Sequence, residues 1–328
     1  MNIDLMKSPK VGNSLLVVFT HSDKIKTSEI PFGEQFEINS SKNFLSEMKK
    51  SGEISGKKGE MTLIHSFLIE NFTFNSNYIA QKLHPERLLL VGLGDSKNVN
   101  SEVLRQSGAD IVKKVSSLSL SDFSLIIETS GMDDTDESIR SISEGIFLGN
   151  YSFDEFKTDK KDSVSITGEL LLEEINDNNL KALDKSKITS IASIKARNLV
   201  NRPPNVVNPE YLKDFSVDLA GQNERLDIEI FDKDKISKLG MRAYLGVAQG
   251  SVAEPYGIKL SHNGDPSNKD NNIWLIGKGI TFDSGGLSLK PSFGMLEMKS
   301  DMSGGAAVIT SMEAISKLNP KINVVGLC

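Results

Sequence analysis

The sequence predicts an α/β protein of two domains, and three observations carry that prediction. Short apolar, β-branched runs alternate with helical patterns through the first half. The length, 328 residues, exceeds what a single hydrophobic core usually serves. A long helical pattern ending at Arg202-Pro203-Pro204 separates the two halves. The boundaries read as 1–175 for the first domain, 176–204 for a linker helix with its Pro-Pro turn, and 205–328 for the second domain.

In chain order, SLLVVF (14–19) is the first buried strand, and ERLLLVGLG (86–94) is a second, ended by glycines. From Ser101 a helical pattern places Leu104, Ile111, Val115 and Leu118 on one face. FSLIIE (123–128) reads as a strand. The following helix gathers its acids at the start, where the helix dipole favours them. VSITGELLL (164–172) closes this half as another strand. Over 178–200, Leu180, Leu183, Ile191, Ile194 and Leu199 recur near helical spacing. Beyond the Pro-Pro turn come the strand LDIEIF, a short helix over 233–239, and the strands YGIKLSH and NIWLIG. A helix over SGGAAVITSMEAISKL, with Val308, Met312 and Ile315 on one face, leads into INVVGLC.

Composition excludes several classes. Hydrophobic content of 38% and charge of 25% describe a globular protein, and the net charge of -6 argues against non-specific nucleic-acid binding. The same charge disfavours a DNA-binding regulator, which needs a basic face. Cys328 is the single cysteine, so no disulfide framework forms within the chain and a reducing compartment fits. The N-terminus lacks a signal peptide's long apolar run, and no window approaches the roughly 18 apolar residues of a membrane helix. The expectation is a cytoplasmic protein with no membrane contact.

The stretch IGKGITFDSGGLSLKP (276–291) concentrates chemistry. It carries four glycines and, among them, Lys278, Asp283 and Lys290, directly after an apolar run. Ligand sites of α/β sheets lie beyond strand C-termini. A phosphate loop does not fit, because Gly279 follows Lys278 and no helix opens there. VGLGD at Val91 is a G-x-G without its third glycine, which reads as a plain turn rather than a nucleotide site. Downstream, Asp301 stands in MKSDMSGGAA, just before a glycine pair and a helix. Two carboxylates in glycine-permissive loops suit Mg2+, Mn2+ or Zn2+. Composition and spacing leave that reading level with a structural one, in which both aspartates cap turns and the lysines are solvated. His21, His65, His84 and His262 all fall outside these stretches, which argues against histidine-based zinc binding.

GKGITFDSGGLSLKP followed by MKSDMSGGAAV closely resembles the signature of the leucyl aminopeptidase (cytosol aminopeptidase, M17) family. The likeness extends to NLVNRPPNVVNPEYL (198–212) and LGVAQGS (245–251), and more weakly to LLLVGLG (88–94) and EGIFLGNYSFDEFK (144–157). The resemblance implies a smaller N-terminal α/β domain, a linker helix, and the first part of an α/β metallopeptidase catalytic domain with a mixed central sheet. It implies two divalent metal ions, Mn2+ or Zn2+, sharing a bridging water. Carried onto these motifs, Lys278 resembles a metal ligand, binding as the neutral amine because an ammonium has no lone pair. Asp283 resembles the carboxylate serving both metals, and Asp301 a further ligand beside Lys278. Lys290 resembles the catalytic lysine that stabilises the oxyanion. Met298 falls where the family lines the pocket for the substrate's first side chain, with a core methionine as the equal alternative.

The resemblance also has a gap. The family's Asn-Thr-Asp-Ala-Glu-Gly-Arg motif is absent, and with it two carboxylate ligands and the arginine that resembles an anchor for bicarbonate. The sequence also stops inside the apolar run INVVGLC. A last buried strand is one reading of this end; a chain cut short inside its second domain is the preferred one. The expectation is therefore a piece of an aminopeptidase that releases N-terminal amino acids from peptides with a free N-terminus, and that assembles as a homo-hexamer when complete. Alone, with half the ligands, it is expected to be inactive and poorly soluble. The alternative is a non-catalytic homologue acting as a binding or assembly protein.

Overall fold

The computed structural model describes residues 1–9, 14–23, 48, 50–65, 74–76, 79–83, 85–127, 131–159, 164–268 and 270–328. The chain divides into two compact units, Met1–Lys187 and Ile188–Cys328. The division falls inside the long helix rather than at its ends.

The first unit is built on strands β1 (Asn2–Met6), β2 (Leu16–Thr20) and β3 (Met61–His65), a small ladder β4 (Phe74–Ser76) with β5 (Ile79–Leu83), then β6 (Arg87–Gly92), β7 (Asp122–Ile126) and β8 (Thr167–Leu171). Six of them form one sheet in the order β1-β8-β7-β2-β6-β3. All neighbours run parallel except β3, which is antiparallel to β6. Helices α1 (Ser101–Ser117) and α2 (Thr135–Gly149) share a core with every second strand residue, among them Val17, Phe19, Leu89, Phe123, Leu125 and Leu170. The alternate residues Leu16, Val18, Leu88 and Ile126 are buried as well. Burial on both faces explains why these strands read as unbroken apolar runs. Asn100 caps α1 by accepting from the backbone N–H groups of Glu102 and Val103.

Long helix α3 (Asp177–Asn201) joins the two units in sequence. Leu180, expected on its buried face, is 52% exposed. The buried positions near its start are Asn179, Ala182, Ser186 and Ser190, a stripe of small and polar residues that hydrophobic periodicity does not detect. Asn179 is held by design of its partners: its amide donates to Asp136 at 2.6 Å, and its backbone N–H donates to Asn176 Oδ1.

The second unit holds α4 (Pro209–Gly221), β9 (Asp227–Phe231), α5 (Lys233–Lys238), α6 (Arg242–Ala248), β10 (Gly257–Asn263), β11 (Asn272–Ile276), α7 (Ser292–Leu296), α8 (Ser303–Leu318) and β12 (Asn323–Leu327). Its sheet is mixed, in the order β11-β12-β10-β9, with β11 parallel to β12 and the other pairs antiparallel. Leu212 and Leu219 of α4 and Ala306, Ile309 and Met312 of α8 pack with Ile258, Leu260 and Val324 of the sheet. Val308 and Ile315, expected in the core stripe, are only partly buried at its margin. Met312 is buried as expected, and Ala306 and Ile309 complete the α8 face turned inward.

The expected strands over 14–19 and 123–128 are β2 and β7; Glu128 and His84 lie outside the described residues. Strands β1 and β3 and helices α4, α6 and α7 were not foreseen as elements. Among the described residues, no helix is long and apolar enough to cross a membrane. The G-x-G after β6 is a turn with its amides already engaged. Gly92, Leu93 and Gly94 donate to the carbonyls of Glu60, Thr20 and Gly56, so they offer no phosphate cradle.

Candidate metal centre

Parallel pairing sends the C-terminal ends of β11 and β12 out side by side, at Ile276 and Leu327. There the chain after β11 crosses the first turn of α8. Gly277 N–H donates to Leu327 O at 2.9 Å, and Gly305 N–H donates to Lys278 O at 2.7 Å. A Cβ on Gly277 would lie 2.3 Å from Gly304 O, so no larger residue permits this backbone approach. The glycines on both sides of the contact thus set Lys278 beside the segment that leads into α8.

Asp301, two residues before α8, ends a 3₁₀ turn over Glu297–Ser300. Lys278 Nζ lies 3.1 Å from Asp301 Oδ1. The Lys278 side chain is 61% exposed and that of Asp301 only 16%. Asp301 Oδ2 is buried and has no hydrogen-bond partner. A buried carboxylate oxygen without a donor is costly, unless a cation or water meets it.

Asp283 is fixed by its own turn. Its Oδ1 accepts from Gly285 N–H at 2.8 Å and its Oδ2 from Lys290 Nζ at 2.7 Å. The Lys290 ammonium first, then the Gly285 N–H and the charge of Lys278, hold its carboxyl below the ordinary 3.8. Lys278 therefore acts on both carboxylates, bonding one and contributing to the field at the other. Lys290 N–H closes the loop onto Ser284 O, and its Nζ also reaches Met298 Sδ at 3.1 Å.

Lys278, Asp283, Lys290, Met298 and Asp301 are thus gathered at one end of the parallel pair, with each aspartate facing a lysine. Oxygen donors with one amine nitrogen suit a hard or borderline divalent cation. The partnerless Asp301 oxygen is the point at which a cation or a water would be received. No group of three His, Cys, Asp or Glu residues clusters among the described residues, so a metal here depends on Lys278 as well as the two aspartates. His262 is spent elsewhere, buried between the carbonyls of Arg225 and Pro320. Cys328 packs its sulfur against Gly279 and Gly305, and burial pushes its thiol up to about 11.

Two contacts had no signal in the sequence. Lys299 reaches from the 3₁₀ turn to the Asn201 carbonyl, and Lys195 on α3 pairs with Glu313 on α8. Nothing in the local pattern marks either residue, because each partner is about a hundred positions away.

Known families account for most of the chain. The description "Cytosol aminopeptidase family, N-terminal domain" matches residues 16–160, and "Cytosol aminopeptidase family, catalytic domain" matches residues 194–328. This chain belongs to the cytosol aminopeptidase family. A probable cytosol aminopeptidase of Clostridium perfringens is 34% identical over 298 residues, which cover 89% of this chain and 56% of that protein. The cytosol aminopeptidase of Haemophilus influenzae Rd is 32% identical over 286 residues, covering 87% and 55%. The chain therefore spans little more than half the length of these relatives. Among solved structures, a mutant tomato leucine aminopeptidase superposes with a TM-score of 0.76 at 21% identity, covering 100% of this chain and 62% of that one. A bottromycin maturation enzyme in complex with Mn superposes with a TM-score of 0.73 at 24% identity, covering 96% and 59%. These likenesses establish the α/β fold of a cytosol aminopeptidase N-terminal domain followed by part of the catalytic domain.

Proposed function

We propose that this chain is the metal-holding portion of a cytoplasmic, metal-dependent aminopeptidase that releases N-terminal amino acids from peptides. The observation that carries the proposal is the pairing of Asp301 with Lys278, which leaves a buried carboxylate oxygen open for a cation. Family membership and the Mn complex of a structural neighbour support it.

In this reading Lys278, as the neutral amine, and the carboxylates of Asp283 and Asp301 hold divalent Mn2+ or Zn2+. Such ions, when bound, supply Lewis acidity toward a peptide carbonyl and make water easier to ionise. Lys290 is the residue that meets the substrate's oxyanion. Its ammonium pairs with Asp283 here, and it donates to the developing negative charge once that carboxylate is engaged by a cation. Met298, in contact with Lys290 Nζ, borders the space for the first side chain. Three ligand residues are fewer than two cations need, so these 328 residues alone are expected to bind metal without turning over substrate. Homo-hexameric assembly and bicarbonate as a proton acceptor belong to the same reading.

The test is hydrolysis of leucine anilide in Mn2+ by a fusion of these residues to the part of the Clostridium perfringens relative that the match leaves uncovered. Metal-dependent leucine release is the expected result. Mn2+ binding with no release would favour the second reading, a non-catalytic binding or assembly protein. That no three His, Cys, Asp or Glu residues cluster among the described residues is the observation that favours this second reading.

A further inference from the structure

The Asp301 carboxylate can receive a cation only if the short turn that carries it holds still. That turn, Glu297–Ser300, has modest support of its own: Asp301 N–H reaches Met298 O at 3.3 Å, and Ser300 Oγ reaches Glu297 O at 2.6 Å. Polar side-chain contacts tie it to other segments, and Ser303 Oγ at the start of α8 donates to Ser300 O. Lys290 touches Met298, and Lys299 Nζ donates to Asn201 O at 3.3 Å. Asn201 is the last residue of α3, where backbone carbonyls lack helical partners and the dipole favours a cation. The same stretch of α3 is braced against α8 a second time. Lys195 Nζ lies 2.7 Å from both carboxylate oxygens of Glu313, whose side chain is 5% exposed. The last turns of α3 are thus fastened to the segment carrying Asp301 at two points, one just before it and one far along α8.

We propose that Lys299 is a positioning residue of the metal centre, anchoring the Asp301 turn to the C-terminal carbonyl of α3. This rests on the reading of Lys278, Asp283 and Asp301 as cation ligands. It adds a residue that touches no ligand atom and acts only through where Asp301 sits. Lysine suits the role because its ammonium satisfies a helix-end carbonyl while its stem spans the gap.

The test is Mn2+ binding to the 328-residue chain, followed by the electron paramagnetic resonance of free Mn2+, with thermal unfolding in parallel. Removing groups that orient metal ligands costs about 10–100-fold in affinity, and Lys299 acts one step further out, so Lys299→Met is expected to raise Kd about tenfold. Lys299→Arg keeps a donor for Asn201 and is expected to return Kd to within about twofold of the parent. Glu313→Gln is the stability control: it should lower Tm and leave the Kd of the folded chain within about twofold. A Lys299→Met chain that binds as tightly as the parent, while Asp301→Asn loses binding, overturns the positioning role alone. A Kd change in Lys299→Met that Lys299→Arg does not reverse overturns it too. If Asp301→Asn leaves Mn2+ binding unchanged, the metal reading fails and this inference falls with it.

Discussion

Asp301 divides its two oxygens between a lysine ammonium and a buried space with no donor, whereas Asp283 has both oxygens engaged. The two aspartates therefore start from different positions. Asp283 must exchange Lys290 for a cation, while Asp301 needs only to accept one at a free oxygen. That exchange is what would release Lys290 for the substrate. In the fusion assay, Lys290→Ala would remove the proposed donor to the oxyanion and is expected to lower kcat about 100- to 1,000-fold. Mn2+ affinity should hold or rise, since the Lys290 ammonium no longer competes for Asp283. A kcat within about threefold of the parent would remove Lys290 from the chemistry. The glycines flanking isolated charges stood out in the sequence as an unusual local pattern, but the roles expected of these residues came only from the family resemblance. The ion pairs among them were not legible, since the partners meet only after β11, β12 and α8 come together.

At the scale of elements, α8 carries both the site and its counterweight. Its first turn adjoins Lys278, and near its other end Glu313 accepts from Lys195 and Lys317 at 2.7 and 2.6 Å. Burial raises the Glu313 carboxyl, but the two lysine hydrogen bonds outweigh it and hold the group below its ordinary 4.5. A depressed folded-state pKa contributes stability that is present above the unfolded value and lost as pH falls through the folded one. Glu313→Gln should therefore destabilise at neutral pH by about 1–2 kcal/mol, discounted because both lysines are partly in water. It should also flatten the loss of stability in acid. Urea midpoints across pH 3–7 check this; parallel curves for parent and variant would contradict it. Element identity followed how loudly each pattern speaks. The apolar runs of β2, β6 and β7 declare buried strands, and the α8 boundaries were plain from its glycine pair onward. Helix α4 had a signal that was not read as an element, with Asn208 as cap and Pro209 at the first helical position. The buried stripe of α3 had none, since Asn179, Ser186 and Ser190 resemble surface residues in composition.

For the whole molecule, the two units have separate cores, and the second presents two unlike sheet edges. Edge strand β9 carries Asp227 and Glu229, charges that discourage pairing with another chain. Edge strand β11 reads NIWLI, with no charge, and leaves Trp274 53% and Ile276 76% exposed. The account expects concentration-dependent self-association of the 328-residue chain, suppressed by Trp274→Lys, in light scattering across a dilution series. A parent chain that stays monomeric throughout would contradict it. The central claim remains that Lys278, Asp283 and Asp301 hold a divalent cation, and a Mn2+ titration of the parent chain beside Asp301→Asn tests it most directly. Saturable binding in the parent, weakened at least about tenfold in the variant, is the predicted result. Equal binding by both chains, or none by the parent, would contradict it.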